Sequence, residues 1–278
     1  MGRCDQLRTQ TPLHIGTTDG LHYEIHDGPA DAETVILSAG LGGTGAVWEP
    51  QMAALTARFR VLRYDQRGTG RSTPVLTAPH SVEAMGRDIL AIMDATDTLQ
   101  AHLVGQAAGG MAALALALDR PERLERLVVV SGWSHADPHL TRVLAAQTRL
   151  LEAFGPAAWV EAAPLFHYPP DWISRNDARL RAEAARQIIA LPATGVILAR
   201  LDALLRFDID DRLDEIDLPV LVCAAADDML VPPRCSRWLA TALPNATLDL
   251  APWGGHAFPE LAADTFNATL IAFLTGED

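Results

Sequence analysis

Over its first half the chain alternates short, nearly all-apolar runs with longer stretches of helical spacing. Thr34–Ser38, Arg60–Tyr64, Ala101–Val104 and Leu127–Ser131 have strand length and β-branched composition. Trp48–Arg58, Val82–Thr96 and Met111–Leu118 carry apolar positions at helical intervals. Upstream, Leu13–Thr17 and Leu21–His26 predict a hairpin around a Thr-Asp-Gly turn. Strands this apolar need cover on both faces, which predicts an α/β fold with a mostly parallel central sheet flanked by helices. Between His135 and Phe207 the pattern changes to helix after helix, punctuated by Gly155-Pro156, Tyr168-Pro169-Pro170 and Leu191-Pro192. Strands resume at Pro219–Ala224 and Ala246–Leu250, and a last helix covers Leu261–Leu274. The expected organisation is a core of residues 1–134 and 208–278 with an inserted helical cap, 135–207.

Composition narrows the class. The chain has 278 residues, 49% hydrophobic and 21% charged, enough for a sizeable core. A net charge of −13 repels phosphate backbones, so nucleic acid is not an expected partner. The three cysteines, Cys4, Cys223 and Cys235, are widely spaced and read as free thiols of a reducing compartment. Met1–Gln6 is followed by no apolar leader segment, and Gln6 breaks the myristoylation pattern. No apolar run approaches the roughly 18 residues that a membrane span needs. The expectation is a cytoplasmic protein acting on a small-molecule substrate, away from membranes and without metal or organic cofactor; a homodimer stays open.

The candidate chemistry begins with an absence. Gly105-Gln106-Ala107-Ala108-Gly109 joins an apolar strand to an alanine-rich helix, the setting of the Gly-x-Ser-x-Gly nucleophile elbow, with alanine where serine should stand. Downstream, Asp227-Asp228-Met229-Leu230-Val231-Pro232 follows a core strand, on the side where open α/β sheets bind ligands. Spacing to the proline favours Asp228 as the acid. Trp253-Gly254-Gly255-His256 follows the last strand, its glycines freeing the backbone to bring His256 near the elbow. Nucleophile position, acid, base is the chain order of α/β-hydrolases. Two backbone N–H groups are candidates for an oxyanion hole: Ala108, after the nucleophile position, and Leu41, in the loop Ala39–Gly45.

Other residues read more simply. His22 and His26 share a strand face without a third ligand and are expected on an exposed hairpin. Gly40–Gly43 lacks the context of a phosphate cradle. Asp65, Arg67 and Ser72 are expected to build a polar turn beside the site, and Ser131 to be a satisfied turn serine. Trp48, Gln106, His135, His167, Tyr168, Trp172 and Arg206 are candidate substrate-binding residues.

Taken together, the Gly-rich loop, Tyr64–Gly70, the serine-less elbow, Ala158–Phe166, Asp227–Pro232 and Gly254–Ala257 resemble the hydrolase D family of the Rut pyrimidine-utilisation pathway. The resemblance runs over most of the chain from Val35, and the cap segment Ala158-Trp159-Val160-Glu161-Ala162-Ala163-Pro164-Leu165-Phe166 carries it most specifically. It implies an α/β-hydrolase of uracil breakdown that assists carbamate or aminoacrylate hydrolysis, with alanine natural at the nucleophile position. One departure stands out: Gln106 lies where that family has histidine. Glutamine before a nucleophilic serine is common in esterases of this fold, so three readings stay open. They are water activation by His256 and Asp228, a serine esterase or lactonase whose nucleophile has been replaced, and a non-catalytic ligand-binding homologue.

Overall fold

The computed structural model describes residues 14–76 and 79–277; Leu13, Cys4 and the N-terminal stretch read above lie outside them. One eight-stranded sheet runs through the molecule: β1 (His14–Thr18), β2 (Leu21–His26), β3 (Thr34–Ser38), β4 (Arg60–Tyr64), β5 (Ala101–Gln106), β6 (Leu124–Val130), β7 (Val220–Ala225) and β8 (Ala246–Ala251). Their spatial order is β1-β2-β4-β3-β5-β6-β7-β8. The β1–β2 and β2–β4 pairs are antiparallel, and every other pair is parallel.

Strand periodicity explains why these segments are apolar throughout. Successive side chains point to opposite faces, and both faces are covered. Ile36, Leu62, Leu103 and Val129 enter one buried cluster. Their neighbours Val35, Leu37, Val61, Val104, Val128 and Val130 enter the other. The first face is closed by α2 (Val82–Ala95) and α3 (Ala108–Asp119), the second by α1 (Glu49–Thr56) and α10 (Ala263–Thr275). α3 is buried along almost its whole length, as a helix apolar all round must be.

The helical segment leaves the core after β6 and returns before β7. It comprises α4 (Pro138–Ala162), α5 (Pro164–His167), α6 (Pro170–Ala190) and α7 (Thr194–Arg206). Its two ends are stitched together, with His135 and Asp208 forming an antiparallel bridge and Ile209 N–H donating to Ser134 O at 3.0 Å. Gly155-Pro156 does not end a helix as its composition predicts. It bends α4, with Gly155 at φ +81° and helix on both sides. Asp137 starts α4 by accepting the Leu140 N–H at 2.8 Å. After β7 come α8 (Pro233–Ala242) and, beyond β8, the short α9 (Phe258–Leu261).

The expectation for His22 and His26 fails: both are buried. β2 is not an edge hairpin strand, because β4 pairs with its other side, from Tyr23 opposite Tyr64 to His26 opposite Val61. Between the two histidines, Glu24 accepts from Arg63 Nε at 2.7 Å and from Arg71 Nη1 at 2.5 Å. These bonds overcome the effect of burial and hold its carboxyl down at about 2.

Candidate active site

The parallel strands end on one side of the sheet, where the predicted residues meet. β5 runs into Ala107, which has φ +46° and ψ −114° before α3 begins at Ala108. That conformation is strained for a residue with a Cβ. It is held by the Ala107 N–H, which donates to Val130 O at 2.8 Å. The elbow packs so tightly that a Cβ on Gly109 would lie 2.3 Å from Ser38 O, which only glycine avoids. Ala108 opens the helix, so its N–H has no carbonyl one turn back to bond.

The Gly-rich loop lies directly against the elbow: a Cβ built on Gly40 would stand 3.9 Å from the Ala107 Cβ. Gly43 N–H donates to Gly40 O at 3.2 Å, closing a turn around Leu41. Asp65 anchors the far end of the loop by accepting the Gly45 N–H at 3.0 Å. The polar turn expected of Asp65, Arg67 and Ser72 forms here, with Ser72 Oγ donating to the Asp65 carbonyl and Arg67 bound to Asp88 and Asp19.

Asp228 follows β7 and is 4% exposed. All of its acceptor capacity is directed. Oδ1 accepts the N–H groups of Leu230 and Val231, each at 2.9 Å. Oδ2 accepts from His256 Nδ1 at 2.9 Å and from Ser131 Oγ at 2.9 Å. Burial opposes ionisation of this carboxyl, but the His256 imidazole and the Val231 and Ser131 donors outweigh it and hold it below the usual carboxylate range. An ionised carboxylate only accepts, so it places the imidazole proton on Nδ1 and leaves Nε2 as the basic atom.

The loop bearing His256 is fixed by two side chains next to the expected ones. Asp227 accepts the Gly254 N–H at 3.3 Å and the Gly255 N–H at 2.8 Å. Gln106 Nε2 donates to the His256 carbonyl at 2.9 Å. Gln106, a candidate for substrate binding, uses its amide nitrogen to tie the His256 loop to the elbow strand. Ser131 was expected to be a satisfied turn serine, and the group that satisfies it is the Asp228 carboxylate. Its position after β6, beside β7, is the only signal of this in the chain, and it shows only once the strands are paired.

The candidate pocket residues separate into two groups. His167 comes to the site: its ring stacks on His256 with centroids 5.7 Å apart and 26° between planes. Burial, and then the nearby His256, push His167 down to about 4, so it is neutral at neutral pH. Tyr168 follows it and stacks on Trp172 at 4.5 Å, with its hydroxyl toward Glu260 at 3.4 Å. The other three lie elsewhere. Trp48 is 1% exposed, packed with Val35, Leu37 and Phe258 in the core beneath the sheet. His135 pairs with Asp210 at the base of the helical segment. Arg206 pairs with Asp202 and donates to His80 O.

Among the described residues, one group could hold a metal ion. Glu33, His102 and Glu125 have ligand atoms within 4.8 Å of one another. They sit at the N-terminal ends of their strands, across the sheet from His256. His102 Nδ1 is buried without a partner, whereas a ligating imidazole ordinarily has its second nitrogen held. The group reads as a hydrogen bond between two of its members, His102 Nε2 lying 3.1 Å from Glu33 Oε2. No single helix among the described residues is long and apolar enough to cross a membrane.

An elbow at the end of a central parallel strand, an acid after a later strand and a histidine after the last define a class. The chain belongs to the α/β-hydrolase fold family, whose model matches residues 33–262, and within it to the hydrolases that carry the name "Putative carbamate hydrolase RutD". The relative from Caulobacter sp. (strain K31) is 59% identical over 95% of this chain and 99% of its own length. The one from Variovorax paradoxus (strain S110) is 48% identical over 91% of this chain and 96% of its own. Among solved structures, the enol-lactonase from Burkholderia xenovorans LB400 superposes with a TM-score of 0.84 at 28% identity, over 94% of this chain and all of that one.

Proposed function

We propose that this hydrolase breaks the C–N bond of a small, labile substrate, carbamate or aminoacrylate, with a water molecule that His256 deprotonates. One observation carries the reading: the Asp228–His256 pair is fully built beside an elbow whose residue ends in a methyl group. A methyl cannot be a nucleophile, so no acyl-enzyme forms at Ala107. Asp228 orients the imidazole and stabilises the imidazolium. Water adds to the carbamate carbon, and the N–H groups of Leu41 and Ala108 hold the developing oxyanion. The C–N bond breaks with return of the proton to nitrogen, so that the carbamate anion and water become ammonia and bicarbonate. Without a nucleophile, an oxyanion hole and binding still supply about 10³–10⁴-fold over water. That suffices for a compound that already decomposes unaided and is too little for a stable ester. The names of the relatives support the choice of carbamate.

The test follows carbamate loss, by ammonia release, in the native chain and in His256→Ala. The native chain should accelerate the loss and the variant should not; equal rates would remove His256 from the reaction and overturn the reading. A second reading is a serine esterase or lactonase with its nucleophile replaced, favoured by the strained φ of Ala107 and by the structural likeness to an enol-lactonase. Under it, Ala107→Ser should turn over p-nitrophenyl esters and take a fluorophosphonate label, and an unlabelled protein argues against it.

A further inference from the structure

Arg200 lies on α7 and is 2% exposed, one of the largest side chains so deeply buried. A buried guanidinium is costly unless its donors are used. Here they meet three oxygens, none of them a carboxylate. Nε donates to Leu41 O at 3.0 Å, Nη1 to Arg67 O at 2.9 Å, and Nη2 to Gln66 Oε1. Burial pushes the group down to about 10, which leaves it protonated at neutral pH.

Two of these bonds converge on one loop. Gln66, oriented by Arg200, donates from Nε2 to Ala39 O at 2.6 Å. Gly40 O takes the Gly43 N–H at 3.2 Å, and Leu41 O takes Arg200. Three successive carbonyls are therefore tied, the first through Gln66 and the third directly by a side chain of the helical segment. In a trans peptide the N–H points opposite to the C=O of the same unit. Tying Gly40 O thus aims the Leu41 N–H the other way, and tying Leu41 O stops the next unit from rotating.

We propose that Arg200 is a positioning residue for the oxyanion loop, so that docking of the helical segment through Arg200 sets the Leu41 N–H for the reaction. The inference rests on the site being the hydrolytic centre described above. It couples the placement of the helical segment to the geometry of the hole. A lysine cannot replace this arginine, since one ammonium cannot reach two carbonyls and an amide in the fixed fork geometry.

The test compares Arg200→Gln and Arg200→Lys with the native chain. Both should melt cooperatively. The amide resonances of Leu41 and Gly42 should shift, and exchange of the Gly43 N–H, held by Gly40 O at 3.2 Å, should quicken by about tenfold or more, while Val104 in β5 stays unchanged. The kcat for carbamate loss should fall about 10²-fold, the cost of a displaced oxyanion donor, with KM moving far less. A merely structural arginine would lower the melting temperature without this loop-selective exchange or kcat–KM split. Folded variants with native Leu41 and Gly42 resonances, native Gly43 exchange and native kcat overturn the proposal. So does failure of both variants to fold, which would make Arg200 a folding residue. If the native chain itself does not accelerate carbamate loss, the functional reading falls, and the exchange measurement alone decides the role of Arg200.

Discussion

Asp228→Asn separates a working base from a decorative one, because the hydrogen bonds leave the new amide one orientation. The two carboxylate oxygens differ in their partners. Oδ1 accepts two backbone N–H groups, from Leu230 and Val231. Oδ2 accepts from His256 and Ser131. An amide nitrogen at the Oδ1 position would face two donors and orphan both, at about 1–3 kcal/mol each. The amide oxygen must stay there, which places the amide nitrogen opposite His256. The Ser131 hydroxyl can rotate to accept. The imidazole can answer a donor at Nδ1 only by moving its proton to Nε2, the atom that must take a proton from water. The fold survives and the base is occupied. A positioned general base contributes about 10²–10⁴-fold, or about 3–5 kcal/mol of barrier. The kcat for carbamate loss should fall by that range, while ¹⁵N resonances of the His256 ring report the exchanged tautomer. A folded variant with the Nε2–H tautomer and a rate within a few-fold of native would refute the reasoning, since the tautomer would then have no bearing on the chemistry.

Three further outcomes are expected. Ser131→Ala removes one donor from a carboxylate held ionised against burial, so the Asp228 carboxyl itself should titrate at higher pH, read from its ¹³C resonance, with a loss of about 1.5–3 kcal/mol for a bond to a charged group; an unmoved carboxyl titration would show that the serine does not tune Asp228. Gly109→Ala forces a Cβ to 2.3 Å from Ser38 O, and chemical denaturation should register a loss of about 3 kcal/mol or more, since backbone must move; a variant of native stability would contradict the close approach. Stability should also fall as pH drops from about 6.5 toward 4. Burial, aided by Arg200, Arg67 and Arg206 around His80 and by His256 beside His167, lowers both rings to about 4, so the unfolded chain takes up protons in that window that the folded protein refuses. Each ring contributes at most about 2 kcal/mol at pH 5, and a melting temperature flat across the window would remove both from the account.

Much of the fold was legible because it rests on local rules. Runs such as Val35–Leu37 and Val128–Val130 are apolar on both strand faces, which predicts a sheet covered on both sides, and the sheet is so covered. Glycine spacing around Ala107 and the order of Asp228 and His256 located the candidate site, because a strained turn and a loop approaching a helix demand particular residue types. The misreadings came from residues whose role depends on a partner far away in the chain. Trp48 has the composition of a pocket wall and lies in the core, because the turn before α1 points it beneath the sheet. His22 and His26 are polar residues on a hairpin, but β4, which comes well after them in the chain, buries their strand. Gln106 reads as a candidate for substrate binding and Ser131 as a satisfied turn serine, and what each one bonds shows only once β5, β6 and β7 stand side by side.

By itself, the sequence determined the class of fold, the alternation of strands and helices, and one chemical fact that no packing can alter: the residue at the elbow has no nucleophilic atom. Those features depend on side-chain type and on spacing within a few residues. Tertiary structure decided which groups touch. It brought Ser131 and His256 to one carboxylate oxygen across 97 and 28 residues of chain, and it carried Arg200 from α7 to the back of the loop at Leu41, 159 residues away. Hydrogen bonds of that kind are short-ranged and directional, so sequence separation carries no record of them until the sheet has set the distances.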